Sequence, residues 1–476
     1  MSGVRPRVDG MAVTGRTMTR ERATFRCGEC GWSTGKWVGR CGECQAWGTV
    51  LDTSAPTVRT TKAGPVSTAA RPIGEVDVEA ARAVPTGVDE LDRVLGGGLV
   101  PGAVVLLAGE PGVGKSTLLL DVAARFAERG RALYVTGEES AAQVRLRADR
   151  IGAVRDDLLL ASETDLAAVL GHLDQVRPAL LVVDSVQTIA STEVDGSPGN
   201  VSQVREVAAA LSRVAKERGI ATVLVGHVTK DGSIAGPRML EHLVDVVLHF
   251  EGDRHSRLRM VRGIKNRYGP SDEVGCFDLS DEGIVGLADP SGLFLSQQRE
   301  AVPGTCVTVT LEGKRPLVAE VQALVAVSPQ NNPRRTTSGL DGGRLAMVLA
   351  VLQRRAKVNI AAADVYAATV GGVRLTEPAT DLAVALAVAG AVQNDPLATG
   401  LVAIGEVGLA GEIRRVTGTS RRLAEAARLG FTHALVPPDV GRVPDGIQAI
   451  EVADLPRALR VAFPGAQVIP FASRRS

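Results

Sequence analysis

Short apolar runs alternate with longer amphipathic stretches through the middle of the chain. Four of these runs are five or six residues long, as expected of strands buried on both faces of a sheet, and they are Ala103–Ala108, Ala132–Thr136, Ala179–Val183 and Ala221–Val225. Stretches with helical periodicity, such as Val201–Glu217, lie between them. Strands that alternate with helices predict an α/β fold with a mostly parallel sheet covered on both faces.

The alternating pattern changes beyond residue 245. Val246–Phe250 and Leu258–Arg262 predict a hairpin with a turn near Asp253. A further region begins around Pro290–Gln297. Its predicted strands are Thr305–Leu311, Leu317–Leu324, Leu401–Val407 and Thr432–Pro437, and its predicted helices are Gly343–Gln353 and Asp381–Gln393.

These patterns divide the chain into five parts. Residues 1–24 are polar and Arg-rich, which predicts a disordered leader or a start assigned too far upstream. A Cys/Gly/Trp module occupies 25–50, and 51–83 has the Pro/Thr/Ser/Ala composition of a linker. The α/β domain is predicted over 84–290 and a C-terminal domain over 291–476.

The composition is that of a chain with substantial cores and little net charge. Hydrophobic residues make up 45% of 476 residues and the net charge is +1, so any nucleic-acid-binding cations must be gathered locally, for instance inside a ring. No apolar run reaches the roughly 18 residues of a membrane span, and no apolar block follows the N-terminal arginines as in a secretory signal. We therefore predict a cytoplasmic protein without a membrane partner.

Four of the six cysteines form two C-x-x-C pairs, Cys27/Cys30 and Cys41/Cys44. Four thiolates can enclose one Zn²⁺ tetrahedrally, which predicts a closed structural site in a module too small to fold without metal. Two redox pairs or unpaired thiols are the alternative. All three tryptophans, Trp32, Trp37 and Trp47, lie in this module; we predict that they form its core, the alternative being one exposed ring that contacts nucleic acid or protein.

A complete phosphate-binding motif follows the first apolar run of the α/β region. The pattern G-x-x-x-x-G-K-[ST] between a strand and a helix predicts an ATP site, in which Lys115 reaches the β- and γ-phosphates and Ser116 binds Mg²⁺. The nucleotide-contacting residues of this motif are predicted to be Gly109, Glu110, Pro111, Gly112, Val113, Gly114, Lys115, Ser116 and Thr117.

Hydrolysis needs two more carboxylates beside this loop. Asp184 ends the apolar run 179–183 and is predicted to hold the Mg²⁺ shell, although it could serve only as a strand-end cap. Glu138 follows the strand at 132–136 and is predicted to orient the attacking water. Glu139 is its competitor, and one of the two could instead cap the next helix.

Motifs in a fixed order point to a family. The two cysteine pairs precede Pro85-Thr-Gly-Val-Asp-Glu-Leu-Asp92, the phosphate loop, Gly137-Glu-Glu-Ser140 and Lys265-Asn-Arg-Tyr-Gly269. In this order they resemble the bacterial RadA (Sms) family of RecA-like ATPases, from about Phe25 to about Phe463. The family motif usually has Phe where this chain has Tyr268, so a ring is kept.

The resemblance implies a homo-hexameric ring with DNA-stimulated ATPase activity. It also implies branch migration on single-stranded and branched DNA during recombinational repair, together with the RecA recombinase. In such a ring a neighbouring subunit can supply a cation to the γ-phosphate. Within the motif Lys265, Asn266, Arg267, Tyr268 and Gly269, the cations Lys265 and Arg267 are the candidates; a solvated basic strand end is the alternative.

DNA contacts are expected in loops that point into the ring. The Gly-rich stretch Val228–Arg238 carries Lys230 and Arg238, and could alternatively be a plain surface loop. His227, just before it, is either a γ-phosphate sensor or a satisfied buried histidine. Ser191–Asn200 is a weaker candidate for a second channel loop.

The C-terminal region resembles the proteolytic domain of Lon in Glu377–Ala383 and Gly405–Gly411. Lon uses a Ser–Lys dyad, but this chain has no lysine after Lys357; Thr380 and Asp381 fall near the serine position and Ser420 near the lysine position. We therefore predict a non-proteolytic domain for oligomerisation and DNA binding. Its candidate phosphate contacts are Arg414, Arg415, Arg421 and Arg422, with a solvated helix face as the alternative.

Three other functions remain as alternatives to a DNA motor. They are a Lon-like ATP-dependent peptidase, a scaffold that binds ATP as a switch, and a RecA-like ATPase that acts on protein, as in circadian-clock rings. The missing dyad argues against the first, and Asp184 with Glu138 argues against the second. The zinc module and the Lon-like domain argue against the third.

Overall fold

A computed structural model describes residues 25–52, 70, 72–75, 78–227, 237–252, 257–296, 301–329 and 332–464, apart from the side chains of residues 80, 237 and 238. The predicted leader at 1–24 and most of the predicted linker at 51–83 lie outside these residues. The chain forms two compact units, Met1–Val76 and Asp77–Ser476. None of the described helices is long and apolar enough to cross a membrane.

The first unit contains a small antiparallel sheet. Its strands are β1 (Phe25–Cys27), β2 (Ser33–Thr34) and β3 (Val50–Asp52), in the order β2-β1-β3. Buried Cys27, Cys41 and Val50 form its core, against which Phe25, Trp32 and Val38 pack.

The prediction that the tryptophans form this core is wrong for two of them. Trp32 packs against the core, but Trp37 is 65% exposed and Trp47 is 75% exposed. Cys27, Cys41 and Val50 fill the small interior, which leaves too little room for three indole rings.

The second unit begins with a nine-stranded sheet in the order β12-β11-β10-β9-β4-β8-β7-β5-β6, of which the six strands from β9 to β6 are parallel. Its strands are β4 (Val104–Gly109), β5 (Ala132–Thr136), β6 (Leu158–Ser162), β7 (Leu180–Asp184), β8 (Ala221–His227), β9 (Val246–Gly252), β10 (Leu258–Asn266), β11 (Val274–Ser280) and β12 (Gly283–Gly286). Its helices are α1 (Asp89–Leu95), α2 (Lys115–Phe126), α3 (Ala141–Arg150), α4 (Leu166–Val176), α5 (Val201–Arg218) and α6 (Pro237–Leu240).

Local sequence explains where these elements begin and end. The central strands β4 and β7 are buried along their whole length, as their unbroken apolar runs predict. Ser140 and Gln143 form a reciprocal capping box that starts α3. Gly219 ends α5 in the left-handed conformation that glycine adopts without strain. Two apolar clusters cover the two faces of the sheet, so the predicted α/β fold with a mostly parallel sheet is confirmed.

A seven-stranded mixed sheet follows, in the order β15-β16-β14-β13-β17-β20-β21. Its strands are β13 (Thr305–Glu312), β14 (Arg315–Val327), β15 (Arg335–Ser338), β16 (Ala363–Thr369), β17 (Leu401–Ala403), β20 (His433–Val436) and β21 (Gln448–Glu451). The pair β18 (Glu406–Val407) and β19 (Ile413–Arg414) stands apart, and the helices are α7 (Gly342–Arg355), α8 (Asp381–Gln393), α9 (Thr419–Arg428) and α10 (Leu455–Ala462).

The predicted strand Leu401–Val407 is therefore wrong as one element. Its first half joins the seven-stranded sheet as β17, and its last two residues form β18 in the separate pair. The intervening Gly405 lies against the start of α8, where its backbone N–H donates to Ala379 O at 2.8 Å and its carbonyl accepts from Leu382 N. A period-two pattern cannot show that a strand changes partners halfway.

The two sheets of this unit share a core at strands β10 and β11. Val274 and Cys276 belong to the same apolar cluster as the buried residues of α7 and α8, whereas Val261 and Phe277 face the core of the nine-stranded sheet. Successive residues of a strand point to opposite faces, so these two strands serve both cores.

A buried ion pair crosses the same junction. Glu90 of α1 and Arg315 of β14 are both buried and pair directly. The Glu90 carboxylate also accepts from Cys276 N at 2.8 Å, and the Arg315 guanidinium donates to the carbonyls of Val274, Leu287 and Ala288.

Removing one partner of this pair should destabilise the unit strongly. We expect Arg315→Met to lower the free energy of unfolding by about 3–5 kcal/mol, because buried Glu90 loses its direct partner and keeps only half-exposed Arg93, whose Nε lies 3.6 Å away. The matched control is Arg415→Met, which breaks the exposed pair with Asp439 and should cost at most about 1 kcal/mol. Urea unfolding followed by circular dichroism measures both; equal losses in the two variants would contradict the assignment.

Candidate functional site

The four-cysteine cluster has the geometry of a tetrahedral metal centre. The Sγ atoms of Cys27 and Cys44 are 3.7 Å apart, those of Cys30 and Cys41 are 3.5 Å apart, and all four lie within 4.8 Å of one another. Four thiolates at the usual Zn–S distance in a tetrahedron are separated by about 3.8 Å, so the cluster fits Zn²⁺.

Hydrogen bonds lower the pKa of Cys27 and Cys41, which favours the thiolate form that zinc needs, whereas burial and the neighbouring cysteines raise the pKa of Cys44. The Thr49 hydroxyl lies 3.2 Å from Cys27 Sγ, and its hydrogen bond lowers the pKa of that thiol to about 6. With four protein ligands the site has no open position for substrate, which makes its role structural.

The phosphate loop connects β4 to α2. Gly112 and Gly114 have φ angles of 80° and 108°, a left-handed conformation that favours glycine and turns the chain into the helix. Lys115 is the first residue of α2 and is buried. Its Nζ donates to the carbonyls of Gly109 and Glu110, both at 2.9 Å, so the ammonium lies directly over the loop.

The electrostatics of Lys115 link the loop to two carboxylates. Burial lowers the pKa of Lys115 to about 8, and the charges of Asp184 and Glu138 partly oppose that shift. Asp184 is buried at the end of β7, where its Oδ2 accepts a 2.6 Å hydrogen bond from Tyr134 Oη. This neighbouring carboxylate and burial together raise the pKa of Tyr134 well above its usual value.

The structure separates the two candidate glutamates. Glu138 Oε1 accepts from Ser185 Oγ at 2.7 Å and lies 3.0 Å from His227 Nε2, at the carboxyl edge of the sheet. Glu139 instead pairs with Arg147 of α3 at 2.6 Å and accepts from Thr136 Oγ1 through its backbone carbonyl. Glu138 is therefore the glutamate that faces the phosphate loop, and His227 is its neighbour rather than an isolated core histidine.

Three residues at this edge were not among the predicted ones. Tyr134 and Ser185 hold the two carboxylates, and Arg259 of β10 is buried with its Nε donating to Val113 O of the phosphate loop at 3.2 Å. Tyr134 lies within an apolar run and Arg259 within a basic stretch, so no sequence motif marks either residue. The one signal is Gly252 opposite Arg259, where an added Cβ would lie 2.2 Å from Arg259 Cδ.

Lys265 and Arg267 lie at the opposite edge of the sheet from the phosphate loop. Lys265 Nζ donates to Glu241 O at 2.5 Å and Val244 O at 2.8 Å, and Arg267 Nη1 donates to buried Asp245 at 3.0 Å. Asp245 also accepts from the backbone N–H of Val104, which is the first residue of β4. The phosphate loop begins at Gly109, the last residue of the same strand. One strand length of about 17 Å therefore separates these cations from the loop of their own chain.

The remaining residues of the motif attach it to α1. Asn266 Nδ2 donates to the carbonyls of Val94 and Leu95 at the end of that helix. Gly269 packs so closely that an added Cβ would lie 3.1 Å from Gly96 Cα. Tyr268 is 43% exposed, so the ring itself is not part of this attachment.

Four of the candidate DNA contacts fall into two groups. Lys230 and the side chain of Arg238 lie outside the described residues. Arg414 pairs with Glu412 and Glu406, and Arg415 pairs with Asp439, so both are exposed but locally neutralised.

The prediction for Arg422 as a phosphate contact is wrong. Its side chain is fully buried and pairs with Glu377, and its guanidinium also donates to Val309 O and Thr417 O. Arg421, its neighbour in sequence, remains exposed and donates to Lys314 O at 3.0 Å. The sequence does not show which side of α9 faces the core.

The positions that correspond to a Ser–Lys dyad hold other chemistry. Asp381 is buried and paired with Arg344, and Thr380 Oγ1 donates to Glu377 O at 2.9 Å. Ser420 lies exposed on α9.

The weaker candidate for a channel loop, Ser191–Asn200, is held in place by buried Gln203, whose amide forms hydrogen bonds with the backbone of Ser191, Val194 and Gly196.

Comparisons with known proteins agree with this arrangement. Three family models match: a rubredoxin metal binding domain over residues 25–51, an AAA domain over 69–233, and subunit ChlI of Mg-chelatase over 331–440. With the phosphate loop and the four-thiolate cluster, these matches give ATP, Mg²⁺ and Zn²⁺ as the cofactors.

Curated relatives match over nearly the whole chain. DNA repair protein RadA of Mycobacterium tuberculosis strain H37Rv is 58% identical over 93% of this chain and 94% of its own. The protein of the same name is 56% identical in Mycolicibacterium smegmatis, over 94% and 99% of the two chains, and 43% identical in Streptococcus pyogenes serotype M6, over 94% and 100%.

Among solved structures, the KaiC-like protein PH0186 from Pyrococcus horikoshii OT3 matches 44% of this chain and 99% of its own with 24% identity and a TM-score of 0.36. The curated relatives match 93–94% of this chain at 43–58% identity, far above what a common fold alone requires. The chain belongs to the DNA repair protein RadA family.

Proposed function

We propose that this DNA repair ATPase uses ATP hydrolysis to drive branch migration of recombination intermediates, as a homo-hexameric ring in the cytoplasm. It acts on single-stranded and branched DNA and works with the RecA recombinase. The observation that carries the proposal is the separation of the phosphate loop from Lys265 and Arg267 at opposite edges of one sheet. Two groups arranged in this way can meet only between copies of the chain.

The chemistry of hydrolysis is assigned to the carboxyl edge of the sheet. The backbone of Gly109–Thr117 and the ammonium of Lys115 hold the phosphates, and the Ser116 hydroxyl with Asp184 holds the Mg²⁺ shell. Glu138 orients the attacking water and accepts its proton. Tyr134 and Ser185 fix the two carboxylates in position through the hydrogen bonds described above.

The neighbouring subunit supplies the missing positive charge. Lys265 and Arg267 stabilise the charge that develops on the γ-phosphate, as a cation supplied in trans does in other ATPases. Their attachment to α1 through Asn266 and Gly269 keeps the strand end rigid. Movement on DNA follows if hydrolysis at successive interfaces shifts the channel loops, for which Lys230 and Arg238 are the candidate contacts.

Affinity for ATP should fall as the pH rises through about 8. The pKa of Lys115 without nucleotide is lowered to about 8, and only the charged ammonium attracts phosphate. Affinity is therefore complete below that pH and declines above it. Binding of a fluorescent ATP analogue between about pH 7 and about pH 9.5 measures the effect, with Lys115→Arg as the control whose charge does not titrate in that range. Equal affinity throughout the range would contradict the role given to Lys115.

Glu138 and Glu139 should differ sharply when each is replaced by glutamine. We expect Glu138→Gln to lower the rate of phosphate release by about 10²–10⁴-fold while ATP still binds, because the general base is lost. Glu139→Gln weakens only the pair with Arg147 and should retain most of the activity. The assignment is wrong if Glu139→Gln is the inactive variant.

Branch migration tests the function and the shared site together. On a three-strand intermediate, Lys265→Ala should bind ATP and DNA but migrate branches far more slowly than the unmodified protein. In a 1:1 mixture with Lys115→Ala, roughly one site in four then combines an intact loop with an intact Lys265, so ATPase activity should reappear. Two inactive variants that stay inactive when mixed would contradict a site shared between subunits.

A further inference from the structure

Two tryptophan rings of the cysteine module face solvent beside each other. Trp37 is 65% exposed and Trp47 is 75% exposed, although an indole normally buries most of its surface. A Cβ placed on Gly39 would lie 3.8 Å from Cη2 of Trp37 and 3.9 Å from Cζ3 of Trp47. The two rings therefore flank Gly39, whose lack of a side chain leaves the space between them open.

Positive charge lies over the Trp47 ring and next to Trp37 in sequence. The guanidinium of Arg40 is 5.6 Å from the centroid of the Trp47 ring, and Lys36 is exposed next to Trp37 in sequence. Within residues 25–52, neither cation forms an ion pair with a carboxylate; Arg40 donates only to Gln45 O. Residues 25–52 contain three carboxylates: Glu29 and Glu43 belong to the two cysteine pairs, and Asp52 ends β3.

The metal centre fixes both rings. Trp37 lies on the segment between Cys30 and Cys41, and Trp47 follows Cys44 by three residues. A β-bridge between Arg40 and Trp47 joins the two segments, and Gly48 N donates to Gly39 O at 2.9 Å. Because zinc holds these segments, the rings are presented in a defined geometry rather than on free loops.

The ligand that fits is an unpaired base with its phosphate. Aromatic rings stack with any base, and nearby cations attract the backbone. A docking surface for a protein would be expected to include more aliphatic area, but Leu51 is the one other large hydrophobic side chain that is strongly exposed in residues 25–52. We propose that Trp37 and Trp47, with Lys36 and Arg40, form a stacking site for unpaired bases of single-stranded DNA.

This inference rests on the proposed action on DNA and assigns a second contact outside the ATPase ring. The chain offers a direct probe because all three tryptophans lie in this module, so its indole fluorescence reports on the module alone. In the zinc-loaded full chain, oligo-dT should quench this fluorescence on binding, whereas blunt duplex DNA of the same length should not.

Single substitutions then identify the rings. Trp37→Ala and Trp47→Ala should each weaken the binding of labelled oligo-dT, measured by anisotropy, by about fivefold or more, because stacking contributes about 1–3 kcal/mol per base. Trp32→Phe is the matched control: its ring packs against the core, so oligo-dT affinity and the remaining quenching should persist. Zinc content measured on each variant shows whether the module is intact.

Each other outcome has a defined meaning. Wild-type affinity in a zinc-loaded Trp37→Ala/Trp47→Ala variant, or DNA binding without quenching, would overturn the stacking site and leave the proposed DNA motor standing. Failure of labelled DNA to bind the unmodified protein would overturn the proposed function itself. If acrylamide cannot quench the indoles in the absence of DNA, the rings are covered by protein and the stacking site is also overturned.

Discussion

The site depends on one constraint, the parallel direction of the strands around β4. Because β4, β5, β7 and β8 all end at one edge, the phosphate loop, Glu138, Asp184 and His227 are brought together from four distant segments. The same constraint keeps Lys265 away from the phosphate loop of its own chain. Strand β10 runs antiparallel to β9, so it begins beside the loop with Arg259 and ends at the opposite edge. One sheet thus places Lys115 and Arg259 at the edge of the phosphate loop, and Lys265 and Arg267 at the opposite edge.

Sequence predicts the parts of this arrangement that depend on local pattern. The apolar runs gave β4, β5, β7 and β8 nearly to the residue, and motif spacing identified the loop and the thiolate cluster. Edge strand β6 was missed because only Ala161 of its five residues is buried, so its pattern differs little from that of a loop. The sequence does not predict the environments of Trp47 and Arg422, because tertiary packing decides exposure. Cys27, Cys41 and Val50 already fill the small core near Trp47, and the partner of Arg422 is Glu377, in the distant segment just before α8.

Buried ion pairs organise the C-terminal domain. Although burial raises it, the paired Arg422 holds the pKa of Glu377 below its usual range, so this carboxylate stays charged inside the protein. Asp381 pairs with Arg344 at the start of α8, although burial raises the pKa of this carboxyl, and Glu90 pairs with Arg315 at the junction with the ATPase sheet. Such pairs are costly to break and define a single packing arrangement.

The cysteine module follows a different rule, because its stability comes from metal ligation rather than from burial. A segment of fewer than about 40 residues cannot bury enough apolar surface to fold alone, and four thiolates on one ion remove that requirement. Its largest aromatic side chains are then available to face outward without loss of the fold, as Trp37 and Trp47 do. The large unit contains no tryptophan, and its stability comes from cores that are filled by buried Val, Leu and Ala. Because metal ligation rather than packing holds the module together, its aromatic rings can face solvent, where they can contact nucleic acid.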